Sequence, residues 1–168
     1  PTIVVSNQKG GVGKTTTCIN LAAELGRCDY SVLAVDMDPQ ANCTSGLGVN
    51  ASTLSKSLYN VLLGDIPMRE AILGTAWEGI SLLPSSLDLA GAEIELASAI
   101  SRESKLKRQL EQLEGFDVVL IDCPPSLGIL TLNALTACDR LLVPIQCEYY
   151  ALEGVGQLVR TVELVRDS

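Results

Sequence analysis

The sequence contains no histidine. Catalytic arrangements that need an imidazole base, including the Ser-His-Asp triad, are therefore excluded, and any catalysis must use carboxylates, lysines, backbone groups or a metal ion. The six cysteines lie at positions 18, 28, 43, 123, 138 and 147, and no two of them form a C-x-x-C pair. This scatter argues against a zinc site and favours reduced thiols that serve as small apolar side chains.

Aromatic residues and long apolar runs are also scarce. No apolar stretch approaches the roughly 20 residues needed to span a bilayer, and no secretion signal begins the chain, so we expect a cytoplasmic protein without a membrane partner. Aromatic residues make up 4% of the sequence and hydrophobic residues 47%. We therefore expect a core of Leu, Ile, Val and Ala, within one domain that spans all 168 residues.

Positive charge is in deficit, because the formal net charge is −8. This balance argues against a large surface for nucleic-acid phosphates. The local exception is a basic cluster of Arg102, Lys105, Lys107 and Arg108, interleaved with Glu103. Its spacing is typical of a solvated helix face.

The clearest functional pattern is the glycine-rich stretch at residues 8–17. An apolar, β-branched run precedes it, and apolar residues at helical spacing follow it. Strand, glycine-rich loop and helix form the context of a phosphate-binding loop, in which backbone N–H groups and the helix N-terminus face a phosphate. We expect Lys14 to reach the β- and γ-phosphates of ATP and the Thr15 hydroxyl to bind Mg²⁺. The predicted nucleotide-binding residues are Lys9, Gly10, Gly11, Val12, Gly13, Lys14, Thr15 and Thr16.

Acidic residues end two of the predicted strands. The strand at 31–36 runs into Asp36-Met37-Asp38-Pro39, and the strand at 117–122 ends in Asp122. Because α/β sheets bind ligands at the carboxyl ends of their strands, the acids at the ends of both strands fall where a nucleotide would lie. Asp122 closes an apolar run as a Walker B acid does, and would act on Mg²⁺ through a water. The alternative for Asp36 and Asp38 is an acidic turn closed by Pro39. The alternative for residues 117–122 is an ordinary apolar strand with a terminal acid.

Alternating strands and helices predict the fold. The strands are expected at 2–6, 31–36, 80–83, 117–122 and 140–145, and the helices at 14–25, 54–62, 65–72, 89–114 with a break near Ser101, 129–137 and 155–165. This order indicates an α/β fold of the P-loop NTPase type, with a mostly parallel sheet flanked by helices on both faces. A further strand should follow the last helix, so we expect residues 1–168 to be a single ATPase domain truncated at its C-terminus.

The glycine-rich stretch departs from the usual pattern G-x-x-x-x-G-K-[ST], because Gln8 replaces the first glycine and Lys9 precedes Gly10. With that departure, K-G-G-V-G-K-T-T resembles the deviant Walker A motif of the ParA/MinD ATPases. In that family the early lysine contacts the nucleotide of a partner subunit. The resemblance therefore implies a catalytic role in trans for Lys9 and in cis for Lys14.

Two further segments resemble motifs of the same family. The pattern D-x-D-P-Q-x-N that starts at Asp36 implies that Asp38 positions and polarises the attacking water, and that Asp36 supports the Mg²⁺ shell. Residues 39–42 then resemble the first switch. Residues 123–128, with their two prolines, resemble the second switch, and the segments 84–96 and 146–154 resemble the chromosomal, Soj-like branch.

The resemblance implies an ATPase that segregates chromosomes or plasmids. Mg²⁺ and ATP would join two chains into a homodimer, which would bind DNA without sequence preference at the nucleoid. A ParB-type partner would stimulate a slow intrinsic hydrolysis. The DNA-binding surface is expected mostly beyond this stretch of chain.

Three other functions remain open at this point. A MinD-type regulator of cell division shares the early lysine, although Pro39, Gln40 and Asn42 fit the ParA pattern better. A reductase that resembles the nitrogenase iron protein would need cluster cysteines on the dimer axis. A non-catalytic, nucleotide-gated scaffold is the third alternative.

Overall fold

A computed structural model describes residues 1–147 and 153–166 of the chain. Its centre is a six-stranded sheet in the order β3-β4-β2-β5-β1-β6. The strands are β1 Thr2–Val5, β2 Val32–Asp36, β3 Leu73–Gly74, β4 Ile80–Leu83, β5 Val118–Asp122 and β6 Arg140–Leu142. Every neighbouring pair is parallel except β3 with β4. The predicted α/β fold with a mostly parallel sheet is confirmed.

The helices cover both faces of this sheet. They are α1 Lys14–Arg27, α2 Asn42–Gly46, α3 Leu58–Leu63, α4 Leu89–Glu95, α5 Lys105–Leu110, α6 Ile129–Ala137 and α7 Glu153–Arg166. Because side chains alternate along a strand, Leu33 and Ala34 enter opposite layers of the core. The layer of Leu33 contains residues of α3 to α7, and the layer of Ala34 contains residues of α1 and α2.

The strand register brings the two predicted acids together. β2 is buried along its whole length, as a continuously apolar strand in a parallel sheet should be. Asp36, its last residue, pairs directly with Asp122 at the end of β5. Asp122 also pairs with Val5 at the end of β1, where the glycine-rich loop begins.

The end of α1 differs slightly from the prediction. We expected α1 to stop near Gly26, but the helix continues to Arg27 and is followed by Cys28. A Cβ on Gly26 would lie 2.7 Å from the backbone oxygen of Glu78. Gly26 therefore permits a close approach of two backbones within the fold and does not cap the helix.

The middle of the chain is less helical than its periodicity predicts. The helix expected at 65–72 is a single 3₁₀ turn, Met68–Glu70, followed by the unpredicted strand β3. The helix expected at 89–114 divides into α4, the turns Leu96–Ser98 and Arg102–Ser104, and α5. The break at Ser101 is confirmed, because this residue has a left-handed φ of 50°.

Caps set the limits of α3. We expected a helix from Leu54, but α3 begins at Leu58, where Ser57 and Asn60 form a capping box. Gly64, with a φ of 88°, ends the helix as expected. Residues 44–52, which we expected to form a loop, contain most of α2.

Helix α6 occupies the predicted residues. Within the described ranges, none of the helices combines the length and the apolar character that a membrane crossing requires.

Candidate functional site

The glycine-rich loop forms an open cradle between β1 and α1. Gly11 and Gly13 have φ values of 74° and 92°, in the left-handed region that favours glycine. A Cβ added at Gly10, Gly11 or Gly13 would meet no atom within 4 Å. No side chain caps the N-terminus of α1, which begins at Lys14. Its first backbone N–H groups and the helix dipole can therefore face an anion.

Two residues that we did not predict anchor this loop. The Asn7 side chain accepts a hydrogen bond from the Lys9 N–H at 3.0 Å and donates one to the Pro144 carbonyl oxygen at 2.8 Å. The Gln146 amide donates to the Gly11 carbonyl oxygen at 3.2 Å. An Asn two residues before a loop N–H is a turn-forming signal that could have identified Asn7. Gln146 belongs to the Soj-like segment at 146–154, of which residues 148–152 lie outside the described residues.

The two lysines of the loop differ in their surroundings. Lys14 is buried, and its ammonium donates to the Lys9 carbonyl oxygen at 3.0 Å. Burial lowers the pKa of Lys14, against the opposing effect of the negative charges of Asp122 and Asp38. Lys9 lies at the exposed side of the loop. Its action on a partner subunit stays a prediction.

Asp122 contacts the first turn of α1. The Thr15 hydroxyl donates to Asp122 Oδ2 at 2.6 Å, while Asp122 Oδ1 is buried and finds no hydrogen-bond partner among residues 1–147 and 153–166. Burial raises the pKa of Asp122 to about 7, and the charges of Asp36 and Asp38 add to this rise. A cation beside this carboxylate would supply the missing partner and offset the cost of the buried charge.

The oxygen atoms of Thr15 and Asp122 fit Mg²⁺, which prefers hard oxygen ligands. Three or more His, Cys, Asp or Glu side chains converge on no common point in the part of the chain that the structure describes. This agrees with the usual binding of Mg²⁺, which takes one or two protein ligands and completes its shell with water and substrate phosphates.

Both carboxylate oxygens of Asp36 accept hydrogen bonds from nearby residues of the same chain. Its Oδ1 accepts from the Asp38 N–H at 3.1 Å, and its Oδ2 accepts from the Thr44 N–H and hydroxyl at 2.8 and 2.7 Å. Burial raises the pKa of Asp36 to about 6, although these hydrogen bonds oppose the rise. The predicted support of the Mg²⁺ shell by Asp36 stays a prediction. Thr44 was not among the predicted site residues, since only the fold brings it to Asp36.

Asp38 lies just beyond the end of β2 and is 9% exposed. Its Oδ1 accepts from the Gln40 N–H at 2.9 Å, and its backbone oxygen accepts from the Ala41 N–H at 2.9 Å. These bonds make the first predicted switch a tight turn, with Ala41 at a left-handed φ of 55°. The action of Asp38 on a water molecule stays a prediction.

The cysteines are free thiols, as expected, and Cys18, Cys43 and Cys123 are buried. Cys123, which follows Asp122, is 1% exposed. A thiol so enclosed cannot bind a cluster shared with a second subunit. This speaks against the reductase alternative.

The basic cluster lies on the opposite side of the sheet from α1. Leu106, on the inner face of α5, packs in the core layer that excludes α1, whereas Lys107 and Arg108 point to solvent. This placement agrees with a solvated helix face. The cluster does not contribute to the phosphate cradle.

Comparison with known proteins identifies close relatives. A family model described as an AAA domain matches residues 1–168. The chain is 52% identical to the sporulation initiation inhibitor protein Soj of Bacillus subtilis, over 98% of this chain and 65% of that protein. It is 51% identical to the chromosome partitioning protein ParA of Myxococcus xanthus, over 98% of this chain and 58% of that protein. The chain thus spans about three fifths of the length of these curated relatives.

A solved structure shares the fold in detail. It is described as a cobyrinic acid a,c-diamide synthase from Mycobacterium smegmatis with a bound ATP analogue and magnesium. The TM-score is 0.95 at 50% sequence identity, over 99% of this chain and 68% of that one.

Proposed function

The chain belongs to the AAA-domain family and, within it, is a ParA/Soj-type ATPase. From that premise we propose that it binds and hydrolyses ATP to drive chromosome or plasmid partitioning. The observation that carries the proposal is the contact of Thr15 with the buried Asp122 behind an open phosphate cradle. One oxygen of Asp122 has no partner within the described chain. A bound Mg²⁺ and nucleotide would provide one.

In this proposal each residue of the loop has a separate task. The backbone N–H groups of residues 10–16 and the ammonium of Lys14 bind the phosphates. The Thr15 hydroxyl and the Asp122 carboxylate would hold Mg²⁺, which when bound would supply positive charge to the phosphate oxygens.

The chemistry is phosphoryl transfer to water, and it works by positioning and electrostatic stabilisation without a covalent intermediate. Asp38 orients the attacking water. The bond to the Lys9 carbonyl oxygen uses one N–H of the Lys14 ammonium, and its other N–H groups can donate to the phosphates. Slow intrinsic turnover is expected where no stimulating partner adds a further positive charge.

The assembly is a nucleotide-dependent homodimer in which each Lys9 contacts the phosphates of the other subunit. The exposed position of Lys9 supports this role. The dimer binds DNA without sequence preference in the cytoplasm, at the nucleoid, and a ParB-type partner stimulates hydrolysis and release. Since the net charge of this chain is −8, residues beyond it must supply most of the DNA contacts.

The first test is light scattering on the full-length protein with Asp38→Ala, which should trap the ATP state. We expect a dimer with Mg-ATP and a monomer with Mg-ADP. Adding Lys9→Ala should abolish the dimer. Lys56→Ala is the matched control, because Lys56 is an exposed lysine outside the glycine-rich loop, where it pairs with Glu70 at 2.7 Å.

Equal masses in ATP and ADP would refute nucleotide-controlled assembly and favour the scaffold alternative. Binding of the ATP-bound dimer to anionic vesicles in preference to duplex DNA would favour a MinD-type regulator. Tight, salt-sensitive binding of the isolated 168-residue chain to duplex DNA would contradict our placement of the DNA contacts outside it.

A further inference from the structure

A buried threonine links the candidate catalytic turn to the rest of the sheet. Thr44 lies on α2 and is 0% exposed. Its N–H and hydroxyl both donate to Asp36 Oδ2, at 2.8 and 2.7 Å. Its hydroxyl oxygen in turn accepts from the Ser85 N–H at 3.0 Å, just beyond the end of β4.

These bonds close residues 36–44 into a loop. Asp36 holds the Asp38 N–H through its other oxygen, at 3.1 Å. The backbone of Asp38 is therefore held by Asp36, and Asp36 is in turn held by Thr44. The closure adds to the bonds that Asp38 makes to the Gln40 and Ala41 N–H groups within the turn.

Packing alone does not require the hydroxyl of Thr44. Cys43, which precedes Thr44, and Leu47, which follows the end of α2, are buried apolar residues, and valine has the shape of threonine. The hydroxyl instead connects two separate elements, β2 and the segment after β4. The position of the hydroxyl thus indicates that Thr44 orients the turn, and not only that it fills the core.

We propose that Thr44 is a positioning residue, which fixes the backbone of Asp38 through Asp36 and ties it to Ser85 at the end of β4. This inference rests on the proposed function, in which Asp38 orients the attacking water. The N–H and hydroxyl of Thr44 bond to Asp36 and Ser85, so in this role Thr44 acts through other residues and not on the nucleotide. Its loss should therefore lower turnover and leave nucleotide affinity nearly unchanged.

The test compares Thr44→Val with Thr44→Ser in the full-length protein. Valine removes the hydroxyl, whereas serine keeps it. We expect kcat for ATP to fall by about tenfold or more in Thr44→Val, since misplacement of a catalytic group by about 1 Å can cost about 10²-fold. The affinity for Mg-ADP, measured by calorimetry, should stay within about threefold, which is a small change on the affinity scale. Thr44→Ser should restore kcat.

A second measurement does not depend on activity. In the nucleotide-free protein, NMR hydrogen exchange at the Asp38 and Ser85 amides should become faster in Thr44→Val and remain slow in Thr44→Ser. If Thr44→Val does not fold, Thr44→Ala takes its place in both assays.

The outcomes separate this inference from the proposed function. An unchanged kcat in Thr44→Val, in a wild type that hydrolyses ATP, would overturn the positioning role. Equal losses of kcat in the valine and serine variants would also overturn it, because the hydroxyl would then be irrelevant. A wild type that does not hydrolyse ATP would refute the proposed function. In that case hydrogen exchange at the Asp38 amide tests the positioning role alone. Faster exchange in Thr44→Val supports the link from Thr44 through Asp36 to Asp38, and unchanged exchange overturns it.

Discussion

Replacing Asp122 with asparagine should remove a large part of the pH dependence of stability in the nucleotide-free protein. Burial and the neighbouring carboxylates raise the pKa of Asp122 from 3.8 to about 7 on folding. Each unit of such a shift corresponds to about 1.4 kcal/mol. Charging this carboxyl group in the folded state therefore costs about 4 kcal/mol at a pH above both values.

The direction in which stability changes with pH follows from proton binding. Because the pKa is higher in the folded state, the folded protein binds more protons than the unfolded chain between pH 3.8 and about 7. The stability associated with this group is fully present below pH 3.8 and is lost as the pH rises through about 7. Between about pH 5 and 8 the loss amounts to about 2 to 3 kcal/mol. Asp36, with a pKa raised to about 6, contributes in the same direction and is retained in the variant.

The assay is urea unfolding followed by circular dichroism at several pH values in this interval. The free energy of unfolding of the wild type should fall with pH more steeply than that of Asp122→Asn. The gap between the two should widen by about 2 to 3 kcal/mol from about pH 5 to 8. Asp65→Asn, at an exposed position, should run parallel to the wild type.

Mg²⁺ and ADP provide a second arm of this experiment. They should stabilise the wild type at pH 8 far more than Asp122→Asn, because the variant lacks the anionic oxygen that a cation would bind. Parallel curves for the wild type and Asp122→Asn across the whole pH range would refute the reasoning, since the buried charge would then carry no cost.

Three further substitutions test the packing and the loop. Gly26→Ala should lower the unfolding free energy despite the usual gain of about 0.5 to 1 kcal/mol in a helix, because its Cβ would meet the Glu78 oxygen at 2.7 Å; a rise in urea midpoint would contradict this. Gly13→Ala, at a φ of 92°, should lower the unfolding free energy by about 1 to 2 kcal/mol and weaken Mg-ADP binding. The control Gly10→Ala should leave stability unchanged. Equal unfolding free energies for the two variants would count against backbone strain at Gly13. Ser57→Ala should cost about 1 kcal/mol through loss of the α3 cap, checked by thermal unfolding, and no loss would show the capping box to be unimportant.

Local patterns in the sequence were sufficient for much of the fold and for the outline of the site. The glycine-rich loop, the helix at 129–137 and the central strands follow from short-range periodicity and turn chemistry, and all appear in the structure. The placement of Asp36 and Asp122 side by side follows from a general property of parallel sheets, once both strands are recognised. The missed strand β3 has two residues, too few to carry a periodic signal.

Other features depend on contacts between distant residues, and only the tertiary structure decided them. Gly26 reads as a helix cap in sequence, but a backbone from the segment before β4 comes close to it and the helix continues. The bond of Thr15 to Asp122 joins residues 107 positions apart, and the bond of Ser85 to Thr44 joins residues 41 apart.

The sequence by itself therefore determined which residues can bind phosphate and metal, because those chemistries depend on residue type and local backbone. Only the fold decided how the carboxylates are used, since hydrogen bonding and burial are set by neighbours distant in the chain. Within the described part of the chain, Asp122 keeps one oxygen without a hydrogen-bond partner, while Asp36 has both oxygens engaged by Asp38 and Thr44. Two aspartates that end equivalent strands thus differ because different segments pack against them.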